Sequence, residues 1–250
     1  MGRISVIMST GGNRLTILEN VLTSWSKVTH PDFDFTLIDN GNTSSGEVER
    51  LAGKFPHITK FITYDKAVIP NKVWVDEGKK TEGKYLIYAM SDEILGSYDI
   101  LEQMEKVETD RASVLTYYLN EAENELLPTI NWLDEPKLIE GLSDFWEHQV
   151  VDNEKNRWRT NAELTTHLTG ATRKYWEWLG WHRDDEFGYL NLDTDIVLRE
   201  RFLNKHPVTI GCCYHQWHPR ASIPEEHRLP AYVYHTEEQA RLLAPTTRGD

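Results

Sequence analysis

Cysteine is nearly absent from this 250-residue chain: Cys212 and Cys213 are its only two, and they are neighbours. Adjacent cysteines cannot tie distant parts of a chain together, and these have no spaced cysteine or histidine partners of the zinc-finger type. The expectation is two reduced residues near the end of a strand. Also lacking is any apolar run of the roughly 20 residues that a membrane span needs. The first residues lead into a strand pattern instead of the charged-then-apolar order of a signal peptide, so the expected setting is soluble and cytoplasmic. Basic residues are outnumbered: 27 Lys and Arg against 40 Asp and Glu give a formal charge of −13. Such a surface repels a phosphate backbone and argues against an extended nucleic-acid partner, yet it is compatible with a small phosphorylated ligand held through a metal.

Aromatic residues, by contrast, are plentiful, with nine Trp and eleven Tyr in a chain that is 39% apolar. They favour a globular protein and offer flat faces on which a sugar or a base can stack. The length suffices for one large domain or two small ones.

The first half alternates in a βα rhythm. Ile4 to Met8 reads as a strand, and Leu15, Leu18, Val21, Leu22 and Trp25 follow at helical spacing. Phe33 to Ile38 is a second strand, after which Ser44 and Glu47 have capping-box spacing before Val48, Leu51 and Phe55. Ile58 to Tyr64 is a third strand, residues 70 to 81 a polar helix, and Tyr85 to Met90 a fourth strand. Such alternation implies parallel strands whose carboxyl ends share one edge. The second half predicts strands over 113–119, 164–168 and 208–214 and helices over 173–179 and 193–203. Residues 120–160 read as irregular connections with a short helix, and Thr236 and Gln239 form a second capping box.

Three segments converge on the shared edge: Ser9-Thr10-Gly11-Gly12, Asp39-Asn40-Gly41 and Ser91-Asp92-Glu93. Open α/β sheets bind ligands at the carboxyl ends of their strands. The pair Asp92 and Glu93, directly after a buried strand, suits a hard divalent cation bridging phosphates. Asp39 can accept a hydrogen bond from a base or ribose, and the glycines at 11 and 12 permit close backbone approach to an anion. Each also has an ordinary structural reading: an Asx turn at Asp39, a tight βα loop at Gly11, a solvated acidic loop at Asp92.

The order and spacing of Ile4-Ser5-Val6-Ile7-Met8-Ser9-Thr10, Leu37-Ile38-Asp39-Asn40-Gly41-Asn42, and Gly83-Lys84-Tyr85-Leu86-Ile87-Tyr88 with Ser91-Asp92-Glu93 resembles the family 2 glycosyltransferases of the GT-A fold. Residues 179–189 resemble that family's G-G-F-D-E-x-F, and Leu192-Asp193-Thr194-Asp195-Ile196-Val197-Leu198-Arg199 its E-D-x-D-L-x-x-R. The match extends over about residues 3 to 200. It implies a Rossmann-like, mostly parallel α/β sheet in a domain over 1–219, with a nucleotide-sugar half near 1–95 and an acceptor half near 110–219; beyond it the residues themselves read as an arm with a short helix over 220–250.

The resemblance also implies roles. The donor is a nucleotide-diphosphate sugar, a UDP-sugar first of all, contacted by Thr10, Gly11, Asp39, Asn40, Ser91 and Asp92. Asp193 is the general base of an inverting transfer to an acceptor hydroxyl. Asp92, helped by Glu93, holds Mn2+ or Mg2+. His215 and His218 are further ligand candidates, because GT-A enzymes often carry a late histidine ligand and neutral imidazole suits Mn2+. Gly170 fits a small-residue loop ahead of the acceptor motif, and one tryptophan among 176, 178 and 181 is expected to face the cleft. The acceptor, whether saccharide, lipid-linked or protein, is left open, as is the oligomeric state. Met90 stands where the family has the first acid of D-x-D, Leu192 where it has Glu, and Ser9 where it has Pro. These departures motivate a non-catalytic glycan-binding protein as an alternative. The Gly11-Gly12-Asn13-Arg14-Leu15 loop motivates a sugar-phosphate nucleotidyltransferase as another.

Overall fold

A computed structural model describes residues 4–11, 14–41, 45–68, 70–119, 121–125, 167–181, 196–197, 199–200 and 203–218. Its first half follows the predicted rhythm: β1 (Ile4–Thr10), α1 (Leu15–Trp25), β2 (Phe33–Asn40), α2 (Ser45–Ala52), β3 (Ile58–Tyr64), α3 (Pro70–Lys80) and β4 (Tyr85–Met90). There follow β5 (Glu93–Leu95), α4 (Ile100–Glu105), β6 (Ala112–Tyr118), α5 (Glu121–Glu125), β7 (Thr169–Thr172), α6 (Arg173–Leu179) and β8 (Val208–His215). The strands form one eight-stranded sheet in the order β3-β2-β1-β4-β7-β6-β8-β5.

Strands β3, β2, β1 and β4 are parallel. The strands β1, β2 and β4 are largely buried on both faces and read as runs rich in apolar residues, whereas the residues of the edge strand β3 are half-buried or exposed. In β1, Ile4, Val6 and Met8 join Leu18, Leu22, Trp25 and Phe35 in one core cluster. Ile7 points the other way, into a second cluster with Ile38, Trp74, Leu86, Tyr88 and Trp176. The period-2 alternation of strand side chains thus builds two cores from a single strand.

Beyond β4 the sheet departs from the parallel expectation. β7 runs antiparallel to both β4 and β6, and β5 antiparallel to β8, while β6 and β8 are parallel. Ile94 and Leu95 belong to the short strand β5. The strand expected over 164–168 lies instead at Thr169–Thr172, with 167 and 168 in a bend and 164–166 outside the described residues. Gly170 is consequently a strand residue and not part of a loop. It faces Ile87 of β4, and a Cβ there would meet Ile87 Cγ1 and Tyr85 Cε1 at 2.8 Å. Large side chains on the neighbouring strand leave room for hydrogen alone.

Of the expected 193–203 helix, residues 196, 197, 199 and 200 are helical. Asp193, residues 126–160 of the stretch expected to be irregular, the 182–189 part of the acceptor motif and the arm over 220–250 with its Thr236–Gln239 box lie outside the described residues, as does Ser44 of the first capping box. Cys212 and Cys213 lie in β8 as free thiols, as expected. Among the described residues no helix is long and apolar enough to cross a membrane.

Candidate metal and donor site

The parallel register brings the predicted strand ends together. Thr10 pairs with Asp39 across β1 and β2, and Ser9 with Met90 across β1 and β4. Thr10 and Asp39 are both buried, at 4% and 0% exposure. The side chain of Asn40, expected to contact the donor, binds the backbone of Val68. Its Nδ2 donates to Val68 O at 2.7 Å and its Oδ1 accepts from Val68 N at 2.8 Å, so the amide pins the following loop. Gly41 beside it has φ +72°, and a Cβ would fall 2.1 Å from Ala67 N, which explains the glycine. Gly11 is exposed, and Ser91 is half-buried in the turn after β4.

Met90, where the resemblance leads one to expect an acid, is half-buried and packed on the second core cluster alongside Ile62, Tyr64 and Val68. The carboxylate next along is Asp92. Short β5 makes a ladder with the end of β8, Glu93 facing His215, and the Gln216 N–H donates to Asp92 O at 2.8 Å. This pairing brings β8 and the residues after it to Asp92. His218 Nε2 lies 3.2 Å and His215 Nε2 3.5 Å from Asp92 Oδ2. One ligand atom from each of the three falls within 4.8 Å of the others. Both histidines therefore point toward the carboxylate.

The donor set, two imidazole nitrogens and a carboxylate oxygen, suits a divalent transition-metal ion, Mn2+ among them, better than Mg2+. Asp92 Oδ1 is buried and has no hydrogen-bond partner among the described residues, as fits a carboxylate that a cation would complete. Protonation states agree with this. Burial alone would raise the Asp92 carboxyl, but the contact with His218 and the charges of His215 and His167 outweigh it and hold the group below its ordinary value. Burial lowers His215, against the opposing pull of Asp92 and Glu93, so its ring keeps a lone pair at neutral pH.

Glu93 does not join this trio. Its buried carboxylate instead pairs with His167 Nδ1, in the bend before β7. The His167 ring in turn meets the His215 ring edge to face, centroids 5.9 Å apart. Sequence reasoning passed over His167, since a lone histidine carries no spacing signal. It also missed Gln216, which is fully buried. Gln216 Nε2 donates to Ile17 O at 3.0 Å, and its Oε1 accepts from Asn20 Nδ2 at 2.8 Å, tying the segment between the two histidines to α1. A third addition is Arg14, whose Nη1 lies 2.9 Å from His218 Nε2 and 3.6 Å from Asp92 Oδ2.

The aromatic run around α6 divides. Trp176 is core, with Nε1 donating to Leu86 O at 3.1 Å. Trp178 is 39% exposed. Trp181 is half-buried beneath Lys79 Nζ and the Arg173 guanidinium, each 5.9 Å from its ring centre. Arg199 closes this end by donating from Nη2 to Trp181 O at 2.6 Å and from Nη1 to Leu179 O. The helical residues after Asp193 are thereby fixed to the end of α6.

No protein-family model matches the sequence, and no curated protein matches it. Solved structures do match in three dimensions. The mannosyltransferase PcManGT from Pyrobaculum calidifontis, in complex with GDP-Man and Mn2+, has a TM-score of 0.58 at 16% identity over 86% of this chain and 57% of that one. The 1-349 piece of TarS from S. aureus, in complex with UDP-GlcNAc, has a TM-score of 0.60 at 12% identity over 88% of this chain and 60% of that one. A longer S. aureus TarS chain has a TM-score of 0.56 at 13% identity, with 86% of this chain and 37% of that one covered. This chain thus spans between about 37 and 60% of the length of these proteins. The likeness is one of fold: the chain has the mixed α/β architecture of the GT-A glycosyltransferases.

Proposed function

We propose that this chain is a glycosyltransferase that moves a sugar from a nucleotide-diphosphate donor, a UDP-sugar first of all, to an acceptor hydroxyl. The observation that carries the proposal is the Asp92, His215 and His218 trio, set at the edge where Thr10 and Asp39 end their strands. The fold shared with PcManGT and TarS, whose complexes hold GDP-Man with Mn2+ and UDP-GlcNAc respectively, supports it.

Asp39 and Thr10 would hold the base or ribose, with Gly11 and Ser91 beside the diphosphate. Asp92, His215 and His218 would hold Mn2+ or Mg2+. A divalent cation bound there supplies positive charge that offsets the charge on the departing diphosphate. Asp193, on the strength of the family resemblance, takes the proton of the acceptor hydroxyl as its oxygen bonds to the anomeric carbon. The diphosphate oxygen leaves from the opposite face with the bonding pair, giving inversion.

The test is turnover of a panel of nucleotide sugars with Mn2+ and candidate acceptors, followed by release of nucleoside diphosphate. Asp92→Ala and Asp193→Asn should each abolish it, and full turnover in both variants refutes the residue assignment. A second reading, a glycan-binding protein on the same scaffold, is favoured by the apolar packing of Met90 at the first acid position. It requires glycan binding with no donor turnover under any metal.

A further inference from the structure

Arg14 puts a guanidinium on the atoms that a cation would use. Its Nη1 is 2.9 Å from His218 Nε2 and 3.6 Å from Asp92 Oδ2, while those two atoms are 3.2 Å from each other. The chemistry of this triangle is over-subscribed. Guanidinium nitrogen only donates, and a single imidazole nitrogen carries either a proton or a lone pair. If His218 Nε2 carries the lone pair, it accepts from Arg14 but turns that lone pair toward a carboxylate oxygen. If it carries the proton, it donates to Asp92 but faces an N–H of Arg14. Neither tautomer satisfies both contacts. A cation ligated by His218 Nε2 and Asp92 Oδ2 together would satisfy both atoms and leave the guanidinium without its acceptors.

We infer that Arg14 and the divalent cation compete for Asp92 Oδ2 and His218 Nε2, and that Arg14, displaced when the cation binds, turns its charge to the diphosphate of the donor. The inference rests on the metal reading proposed above. The backbone at Arg14 is fixed, its carbonyl accepting from Leu18 N at 2.9 Å at the start of α1, so the exchange is one of side-chain rotamer alone. Arg14 follows the strand end that carries Thr10 and Gly11, on the donor side of the sheet edge, and its side chain is 25% exposed and so has room to turn. A guanidinium binds phosphate oxygens in bidentate fashion, which gives the released side chain a better partner than the half-satisfied triangle it leaves.

Arg14→Gln and Arg14→Met both remove the charge, the second keeping an apolar stem. Free Mn2+ is followed by its electron paramagnetic resonance signal as it is titrated into wild type and both variants without nucleotide. Loss of a positive charge this close to the ligand atoms should tighten Mn2+ binding by about tenfold in both variants. With Mn2+ saturating, binding of UDP and GDP should weaken by about tenfold, since the variants have nothing to turn toward the phosphates. Mn2+ binding that is unchanged or weaker in both variants overturns the competition while leaving the metal site standing. Unchanged nucleotide binding overturns the transfer to phosphate. No Mn2+ binding by wild type or either variant overturns the metal reading and the competition together.

Discussion

Asp92 and Gln216 are joined through their backbones: the Gln216 N–H donates to the Asp92 carbonyl at 2.8 Å, one step beyond the ladder in which Glu93 faces His215. The same glutamine is locked by its side chain to Ile17 O and Asn20 on α1. It stands between His215 and His218 in sequence, so its two anchors hold the segment that carries both rings against α1.

Gln216→Leu keeps the volume but strips the anchors, leaving Ile17 O and Asn20 Nδ2 without this partner. The expected loss is about 1–3 kcal/mol of stability, measured by urea unfolding. Mn2+ affinity should fall by about tenfold, as it does when groups that orient metal ligands are removed. A destabilised variant with undiminished Mn2+ affinity would show that the ladder alone positions the histidines.

His57 gives a pH dependence of stability away from the site. It packs edge-on against Phe35 and Phe55, with centroids 5.3 and 5.7 Å from theirs. Burial lowers its pKa from 6.5 to about 4. The unfolded chain therefore binds the proton first as pH falls, so the contribution of the neutral ring is complete above about 6.5 and is lost toward about 4. Allowing for its partial exposure, the loss is no more than about 2 kcal/mol. Urea midpoints measured across this range should fall with pH in wild type and fall less in His57→Phe.

Strands β1, β2 and β4 were legible as mostly buried runs rich in apolar residues, and β3, whose residues are half-buried or exposed, from its place in the βα rhythm, which also set the shared edge near Thr10, Asp39 and Asp92. β5 was not, because three residues carry no period. β7 was misplaced because Thr169-Gly170-Ala171-Thr172 has neither the bulk nor the alternation of a strand, and it becomes one by fitting against Tyr85 and Ile87. The histidines were legible as candidates from resemblance. Their common direction was not, since it depends on a β5–β8 register formed by residues far apart in the chain. Arg14 and His218, 204 positions apart, meet for the same reason.

Gly170 offers a direct check of that fit. Gly170→Ala places a methyl 2.8 Å from Ile87 Cγ1 and Tyr85 Cε1 and 3.2 Å from Met104 Sδ. Real contacts of that kind force neighbouring strands or side chains to move, at a cost of about 1–3 kcal/mol. Gly170→Ala should unfold at correspondingly lower urea, and Gly170→Ala combined with Ile87→Val should recover part of the loss. Wild-type stability in the single variant would mean that β4 and β7 do not pack as described.

Arg111 and Glu200 form a buried ion pair that ties the helix following Asp193 to the sheet. Arg111 Nε and Nη2 each donate to a Glu200 carboxylate oxygen at 2.8 Å, with both side chains at most 1% exposed. Tyr175 OH donates to the same carboxylate at 2.8 Å, and Arg111 Nη1 to Thr169 Oγ1 at 3.1 Å. Charges this deep are tolerated only as a completed set, so Glu200→Gln or Arg111→Met alone should cost about 3–5 kcal/mol by chemical unfolding. Replacing both by apolar residues, Arg111→Met with Glu200→Leu, should restore much of that stability, because no uncompensated charge is left behind. If the network also positions Asp193, the stable double variant should have low kcat with donor binding retained. Full turnover in the double variant would confine the pair to a structural role.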